Sequence, residues 1–397
     1  MMHSRILWRP SMKLSDRILQ ISESNTTRLM GIVNQLKAEG KQIISFNAGE
    51  PDFAAPKPIT DATIQAIQDG HTKYGAVPGE PWLRAAIAEK VGKENGIVAK
   101  PENILVANGS KQVLYNVFQA ICNPGDEVIV LKPYWVTFPE GIRLAGGVPV
   151  FVDTVDHQPD VNLIKAAITH RTKAILVNSP NNPTGAVYSR EALYEIGKLA
   201  VEKQIYVISD EAYEGLVYDG EKHISMAALD PAFAPWVLTT QTFSKSYCMT
   251  GYRVGYLLAP KDELKAINNL HSHLTGNVCT FAQYGALAAL KMDPAIMQGM
   301  QETFQRRLDL AYPLCAELFD TVRPKGAFYL FPNVEKYLGD RFGDDEALTE
   351  YLLQEAQVAV VPGSSFGAPG HLRISFSTGE EAIAEGFARI KAALAKA

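Results

Sequence analysis

The sequence predicts an α/β fold with a large, mainly parallel sheet covered by helices, together with a smaller α+β domain. Between residues 103 and 259, short runs rich in Val, Ile and Leu alternate with helical stretches. Parallel strands need helical crossovers and are buried on both faces, so their sequences are apolar almost throughout. After residue 321 the strands and helices follow in a different order, which is typical of a separate α+β unit.

The elements can be assigned in chain order from apolar periodicity and from Gly and Pro breaks. Helices are predicted over residues 15–40, 59–68, 110–121 and 190–203, and again from residue 260 for most of the stretch to 318. Strands are predicted in IISF, NILVANG, DEVIVLKP, VPVFV, KAILVNS, IYVISDEAY, WVLTTQT and VGYLLAP. Further strands are predicted in AFYLFP, VAVVPG and HLRISFS, with helices over 346–357 and after residue 380.

This pattern predicts how the chain divides into domains. We expect residues 59–294 to form the large, ligand-binding domain. Residues 15–58 and 295–397 are expected to form the small α+β domain, because the early strand IISF needs a sheet to join. Residues 1–14 are basic and lack the long apolar region of a secretion signal, so we expect a poorly ordered leader.

The composition excludes several classes of function. Of the 397 residues, 47% are hydrophobic and 20% are charged, which is ordinary for a globular protein. The net charge of -5 gives no basic footprint, so we expect no nucleic-acid or membrane partner. The four cysteines are scattered without a CxxC pair, which favours a reducing compartment, the cytoplasm, and neither disulfides nor a metal site.

Polar residues and glycines gather at the carboxyl ends of the predicted strands. Open parallel sheets bind their ligands at this edge, so these residues are candidates for one site. They are Gly109, Ser110, Lys111, Trp135, Asn182, Asp210, Tyr213 and Lys245. Thr242, Ser244 and Arg253 flank the lysine, and Arg373 lies in the late strand HLRISFS.

Each of these residues also has a plain structural explanation. Ser110 opens a helix, where it either caps the backbone or helps to bind an anion. Asp210 either forms a structural salt bridge or holds a protonated ring nitrogen, and Tyr213 either packs or donates to a ligand. Arg373 lies either on a solvent face or in a carboxylate clamp. Lys245 is either a solvated lysine or a Schiff-base nucleophile.

Taken together, the motifs resemble the fold type I pyridoxal-phosphate-dependent aminotransferases of class I, from about residue 15 to the C-terminus. The matching motifs are NAGEPDF, KYGAVPG, NPTG, SDEAY, SKSYCMTGYRVGY and the arginine of RISF. With GSKQ and PYW as further matches, the chain is similar to aspartate aminotransferases of the prokaryotic type.

The resemblance implies pyridoxal 5′-phosphate as the cofactor and gives each matching residue a role. Lys245 would form the Schiff base, Asp210 would pair with the ring nitrogen and Tyr213 with the ring oxygen. The residues implied for the phosphate, the ring face and the ring oxygen are Gly109, Ser110, Lys111, Thr242, Ser244, Arg253, Trp135 and Asn182. Tyr74 would reach the phosphate of a neighbouring subunit, which implies a homodimer with shared active sites.

The resemblance also implies how substrates bind. Arg373 would clamp the α-carboxylate, with Gly49, Trp135 and Asn182 beside the substrate, while Lys111 and Ser24 would read its distal carboxylate. We therefore expect an aspartate aminotransferase that passes the amino group of L-aspartate to 2-oxoglutarate in a ping-pong cycle. The alternatives are an aspartate/prephenate aminotransferase, an aromatic or alanine aminotransferase, and a carbon–sulfur lyase.

Overall fold

A computed structural model describes residues 13–22 and 25–396 of the chain. Most of the expected leader, residues 1–12, and the predicted substrate residue Ser24 lie outside these ranges.

The strands of the described chain fall into one large sheet and two small ones. In chain order they are β1 (Ile44–Ser45), β2 (Ile104–Ala107), β3 (Glu127–Lys132), β4 (Val148–Val155), β5 (Gln158–Pro159), β6 (Thr172–Asn178), β7 (Tyr206–Asp210), β8 (Val237–Thr242), β9 (Gly255–Leu258), β10 (Tyr329–Leu330), β11 (Val358–Ala359), β12 (Val361–Pro362) and β13 (Leu372–Ser375).

The α-helices surround these sheets. They are α1 (Asp16–Leu19), α2 (Asn25–Ala38), α3 (Lys57–Gln68), α4 (Pro81–Asn95), α5 (Ser110–Ile121), α6 (Thr137–Leu144), α7 (Val161–Ala167), α8 (Arg190–Lys203), α9 (Lys261–Leu274), α10 (Thr280–Lys291), α11 (Pro294–Leu318), α12 (Asp345–Tyr351) and α13 (Glu380–Lys396). Among the described helices, none has both the length and the apolar character needed to cross a bilayer.

The two longest helical predictions differ from the structure. The pattern predicted one helix over residues 15–40, whereas the structure has the short α1 and then α2. The long helical stretch after residue 260 is interrupted between α9 and α10, where Gly276 adopts a φ of 81°. Glycine adopts this left-handed conformation at lower cost than other residues, so it often ends a helix.

The large sheet has the strand order β2-β9-β8-β7-β6-β3-β4-β5 within the described chain. The pairs from β8 through β7, β6 and β3 to β4 are parallel, while β9 and β5 run antiparallel to their neighbours. Helices cover both faces, because alternate residues of one strand belong to opposite cores. In β3, Val128 and Val130 pack with α5 and α6, whereas Ile129 and Leu131 pack with α8.

The small sheets share a further core with the helices of the last part of the chain. Strands β10, β13 and β12 form an antiparallel sheet, and β1 pairs in parallel with β11. Phe46 beside β1, Phe304 of α11 and Phe387 of α13 are buried in this core. The domain boundaries at residues 58 and 294 stay a prediction.

The parallel register places three strand ends together. Asn178, the last residue of β6, lies opposite Asp210, the last residue of β7, and Asp210 lies opposite Thr240 of β8. The segment that carries Lys245 follows β8 directly. The fold therefore gathers residues that are more than 60 positions apart in sequence at one edge of the sheet.

Two glycines in helices test how tightly this fold is packed. A methyl group on Gly197 of α8 would lie 2.4 Å from the ring of Phe233, whereas one on Gly299 of α11 would meet no atom within 4 Å. We expect Gly197→Ala to lower the melting temperature, since overpacking costs about 1–3 kcal/mol. Gly299→Ala should raise it, since alanine favours a helix by about 1 kcal/mol over glycine. Thermal unfolding of both variants would measure this contrast, and an equal rise in the two would contradict it.

Candidate active site

A cavity of about 180 Å³ opens at the carboxyl edge of the large sheet. Eight of the residues predicted for the site line it: Gly49, Ser110, Trp135, Asn182, Asp210, Tyr213, Lys245 and Arg373. These residues come from loops after β1, β2, β3, β6, β7 and β8 and from β13. Chain segments far apart in sequence therefore converge on one small chamber.

Lys245 presents its amine to this cavity. The amine donates a hydrogen bond to the backbone carbonyl of Gly49. Burial lowers the pKa of Lys245 to about 8. Glu50 opposes this shift, while the nearby cations Arg373, Arg253 and Lys111 add to it. With a pKa of about 8, about a tenth of the amine is neutral at pH 7, and the neutral form is the one that acts as a nucleophile or a base.

Asp210 closes β7 and is 3% exposed. Its Oδ1 has no hydrogen-bond partner among the described residues, and burial raises its pKa to about 7. A buried carboxylate without a partner is unfavourable unless a cation or a donor faces it. The side chain lines the cavity, so a protonated ring nitrogen placed there would supply the missing donor.

The next carboxylate in the chain has the opposite surroundings. Glu211 is buried and accepts hydrogen bonds from Ser209, His223, Ser225 and Gln241. Together with Glu214, Glu211 and His223 could coordinate a cation by spacing alone, but Lys90 already donates to Glu214. This cluster is saturated by protein donors, so it gives no support for a metal site.

The start of α5 forms a cationic cradle. A methyl group on Gly255 would lie 2.6 Å from the backbone nitrogen of Ser110, and one on Gly109 would lie 2.6 Å from Nη2 of Arg253. Both glycines thus allow a close approach of chain segments, and the guanidinium of Arg253 lies against the first turn of the helix. Free N–H groups, the helix dipole and an arginine together favour a bound anion such as a phosphate.

Two buried hydroxyl residues lie next to the lysine. Thr242 Oγ1 donates to Ser244 Oγ over 2.9 Å, and the Ser244 backbone nitrogen donates to Thr242 Oγ1 over 3.2 Å. Each residue is 6% exposed. This turn fixes the backbone that leads from β8 to Lys245 and carries polar groups that could bind an anion.

Arg373 is buried rather than exposed to solvent. It is 3% exposed, and every residue of β13 is buried, so the solvent-face alternative does not hold. Its Nη1 donates to Asn182 Oδ1 and its Nη2 to the Asn47 carbonyl, each over 3.1 Å. The guanidinium lies 4.5 Å from the ring centre of Tyr329. Nε has no partner among the described residues, so the side chain retains capacity for an anionic ligand.

Asn182 also connects to Tyr213. Its Nδ2 donates to the Tyr213 hydroxyl over 3.3 Å, and that hydroxyl lies 2.9 Å from the hydroxyl of Tyr329. The backbone of Asn182 is held in turn by Asn178 Oδ1, and Asn178 Nδ2 donates to the Asp210 carbonyl. The ends of β6 and β7 are therefore locked together beneath the cavity.

Lys111 lies beside the cavity rather than on its lining. Its amine is 5.1 Å from the ring centre of Trp135, and burial, followed by the charge of Arg253, lowers its pKa. Tyr74 does not reach this cavity, because its side chain is 98% exposed. The position of Ser24 lies outside the described residues.

Several residues that line the cavity escaped the sequence reasoning: Thr26, Thr27, Met30, Asn47, Asn178, Ala212 and Tyr329. Asn178 could have been found, because it ends β6 in the same way as Asp210 ends β7. Tyr329 gave no such signal, since an aromatic residue in the apolar run AFYLFP is typical of a core.

Comparisons with known proteins show the family to which the chain belongs. Residues 41–390 match the family described as "Aminotransferase class I and II". A probable aspartate/prephenate aminotransferase of Aquifex aeolicus is 46% identical over 388 residues, which cover 96% of this chain and 98% of that protein. An aspartate aminotransferase of Bacillus subtilis is 41% identical over 386 residues, covering 96% and 98%.

The fold is similar to that of solved aspartate aminotransferases. The structure of the Thermus thermophilus enzyme with maleate has a TM-score of 0.92 and 41% identity, and covers 96% of this chain and 100% of that chain. The enzyme of Rhizobium meliloti has a TM-score of 0.93 and 36% identity, covering 97% and 99%. The predicted fold class is confirmed, and the chain belongs to the class I and II aminotransferases.

Proposed function

We propose that this aminotransferase binds pyridoxal 5′-phosphate and transfers the amino group of L-aspartate to 2-oxoglutarate. One observation carries the proposal: a lysine of lowered pKa, a buried carboxylate with an unpartnered oxygen and a buried arginine line the same cavity. The names of the Bacillus subtilis and Thermus thermophilus relatives support aspartate as the donor.

The residues present fit this cofactor. When bound, pyridoxal phosphate supplies an aldehyde carbon that carries amino groups and a protonated ring that withdraws electrons from the substrate α-carbon. Lys245 would hold the cofactor covalently, and Asp210 would accept a hydrogen bond from the ring nitrogen. That pairing would satisfy the unpartnered Oδ1 and keep Asp210 ionised.

Other residues would hold the phosphate and the ring. The phosphate would bind in a cradle at the N-terminus of α5, which includes Gly109 and Ser110. The guanidinium of Arg253 and the hydroxyls of Thr242 and Ser244 would also form part of this cradle. Trp135 would lie against the ring, and Tyr213 with Asn182 would meet its ring oxygen.

A second copy of the chain would complete the cradle. The exposed side chain of Tyr74 favours a contact with another subunit, so we propose a homodimer in which each Tyr74 serves the other copy's phosphate. A cytoplasmic location stays a prediction.

The chain's own groups account for substrate binding and proton transfer. Arg373, whose guanidinium is oriented by Asn182 and the Asn47 carbonyl, would clamp the α-carboxylate. Once the amino group of the substrate has taken the place of Lys245 on the cofactor, the freed neutral amine of Lys245 would act as a base. It would take the α-proton from the substrate and deliver it to the aldehyde carbon of the cofactor. The Gly49 carbonyl, which accepts from this amine, would keep it aimed into the cavity.

Lys111 would bind the second carboxylate of the substrate. Its amine lies 5.1 Å from the ring centre of Trp135, and Trp135 lines the cavity together with Thr26 and Thr27. The Thermus enzyme was solved with maleate, which is a dicarboxylate, and this supports a site for two carboxylates. The name of the Aquifex aeolicus relative favours prephenate as a further amino acceptor, to be assayed alongside 2-oxoglutarate.

The first test removes the lysine. In Lys245→Ala, we expect amino transfer from L-aspartate to 2-oxoglutarate to fall by about 10²–10⁴-fold or more, because the positioned base is lost. The variant should still bind pyridoxal phosphate through the remaining contacts. Oxaloacetate formation measures the rate, and Lys198→Ala, which alters an exposed lysine of α8, is the control. Near-normal transfer by Lys245→Ala would refute the assignment.

The second test concerns the distal carboxylate. We expect Lys111→Met to lower the ratio of kcat/KM for aspartate over phenylalanine by about 10–100-fold, since one charge-assisted hydrogen bond is lost. Lys132→Met, at the end of β3, is the control because that lysine pairs with Asp153 instead. A ratio equal to that of the unchanged protein would show that Lys111 does not read this carboxylate.

The third test uses the stability of the chain stripped of cofactor. Because the pKa of Asp210 is raised from its ordinary value to about 7, the folded chain keeps a proton that the unfolded chain releases above about pH 4. This contribution to stability is present at low pH and is lost as the pH rises through about 7. Asp210→Asn should therefore melt at a higher temperature than the unchanged chain at pH 8, with the difference shrinking towards pH 4.

A surface carboxylate provides the control for this effect. Hydrogen bonding to Arg323 lowers the pKa of Asp219, so its contribution has the opposite sign, and Asp219→Asn should not raise the melting temperature at pH 8. Equal melting temperatures for Asp210→Asn and the unchanged chain at pH 8 would show that the carboxylate is not strained by burial.

A further inference from the structure

We propose that Tyr329 is a positioning residue: its hydroxyl donates to the oxygen of Tyr213 and thereby directs the proton of Tyr213 towards the ring oxygen of the cofactor. The proposal rests on the proposed function, because it concerns how the chain meets pyridoxal phosphate. It gives a role in the chemistry to a residue that sequence reasoning leaves in the hydrophobic core.

The geometry of the two hydroxyls is well defined. Tyr213 and Tyr329 both line the cavity and are 4% and 0% exposed, respectively. Their oxygens are 2.9 Å apart, which is hydrogen-bond distance, and their rings meet edge to face at 5.9 Å. Since neither side chain is open to bulk solvent, both hydroxyl protons must be accommodated within the site.

The distance alone allows either hydroxyl to donate, and the numbers of donors and acceptors around the pair favour Tyr329 as the donor. A phenol carries one proton and can accept up to two. Tyr213 accepts from Asn182 Nδ2 over 3.3 Å and has Tyr329 as its other neighbour. For Tyr329, the Tyr213 oxygen is the single hydrogen-bond partner in the described part of the chain. If Tyr329 donates to Tyr213, both acceptor sites of Tyr213 are filled and its own proton is left for a ligand in the cavity.

The opposite arrangement is less favourable once a ligand is present. If Tyr213 donated to Tyr329, the proton of Tyr329 would have no acceptor among the described residues. The ligand oxygen would then lose its donor. A buried donor without an acceptor is destabilising. The pair therefore supports one direction of donation when an acceptor occupies the cavity, and Tyr213 becomes a stronger donor because its oxygen accepts twice.

The ring of Tyr329 is fixed by a second contact. The guanidinium of Arg373 lies 4.5 Å from the centre of this ring, within the range of a cation–π contact. Arg373 also donates to Asn182, which donates to Tyr213. Arg373, Asn182, Tyr213 and Tyr329 thus form a closed ring of contacts. Tyr329 contacts both the guanidinium of Arg373 and the hydroxyl of Tyr213.

A purely structural role for the hydroxyl can be distinguished by comparison with Tyr218. That tyrosine is also buried, and its hydroxyl donates to the backbone carbonyl of Ala327, away from the cavity lining. Tyr218→Phe therefore removes a buried hydroxyl without touching the phenol pair. It is a matched control for Tyr329→Phe, since both changes remove one oxygen and keep the aromatic ring.

The experiment measures the bound cofactor rather than turnover. Pyridoxal phosphate is bound to the unchanged protein and to Tyr329→Phe, Tyr213→Phe, Tyr218→Phe and the double variant Tyr213→Phe/Tyr329→Phe. The absorbance of the bound cofactor is then followed from pH 5 to 10, and its dissociation constant is determined for each protein. A hydrogen bond donated to the ring oxygen stabilises the deprotonated form of the bound cofactor. A weaker donor therefore moves the midpoint of the cofactor's titration to higher pH.

We expect Tyr329→Phe to raise the midpoint by about 0.5 pH unit and to weaken cofactor binding about threefold. Tyr213→Phe should raise the midpoint further, and the double variant should match Tyr213→Phe, because Tyr329 acts through Tyr213. Tyr218→Phe should leave the midpoint unchanged even where it lowers the melting temperature.

Two results would overturn the proposal alone: a midpoint for Tyr329→Phe equal to that of the unchanged protein, or an equal shift when Tyr213 is already Phe. Failure of the unchanged protein to bind pyridoxal phosphate would overturn the proposed function and this proposal together.

Discussion

The burial of the Asp210 carboxylate is the constraint on which the site depends. Strand β7 is buried along most of its length, and its last residue is only 3% exposed although it lines the cavity. The neighbouring Glu211 accepts hydrogen bonds from several side chains, while Asp210 Oδ1 has none among the described residues. The proposed pairing of Asp210 with a ring nitrogen would account for this contrast, because it gives the unpartnered oxygen a donor.

Burial also makes the positive charges around the cavity unfavourable. Lys245, Arg253 and Arg373 each raise the electrostatic potential at the others, and together with burial this lowers the pKa of Lys245. An overall net charge of -5 gives no hint of this local excess. The proposed cofactor and substrate carry a phosphate and carboxylates, which would relieve this repulsion between the cations.

The sequence predicted the residues at strand ends better than those inside strands. The positions of Asp210 and Lys245 followed from apolar runs that stop at a polar residue, and the helix over 190–203 was confirmed as α8. The role of Arg373 remained open because the alternation in HLRISFS could not reveal that both faces of β13 are buried. Tyr329 was missed since the contact with Tyr213 joins residues 116 positions apart, and only the folded chain brings them together.

The site is divided between two parts of the fold, and this division explains the ring of contacts around Tyr329. Tyr329 and Arg373 belong to the paired strands β10 and β13 of a small sheet, whereas Tyr213 and Asn182 follow strands of the large sheet. The contacts Arg373–Asn182 and Tyr329–Tyr213 both cross from one part to the other. In the proposed site, a carboxylate bound by Arg373 would act on the same hydrogen bonds that orient Tyr213. Substrate binding and the electronic state of the cofactor ring would then be coupled through side chains in direct contact.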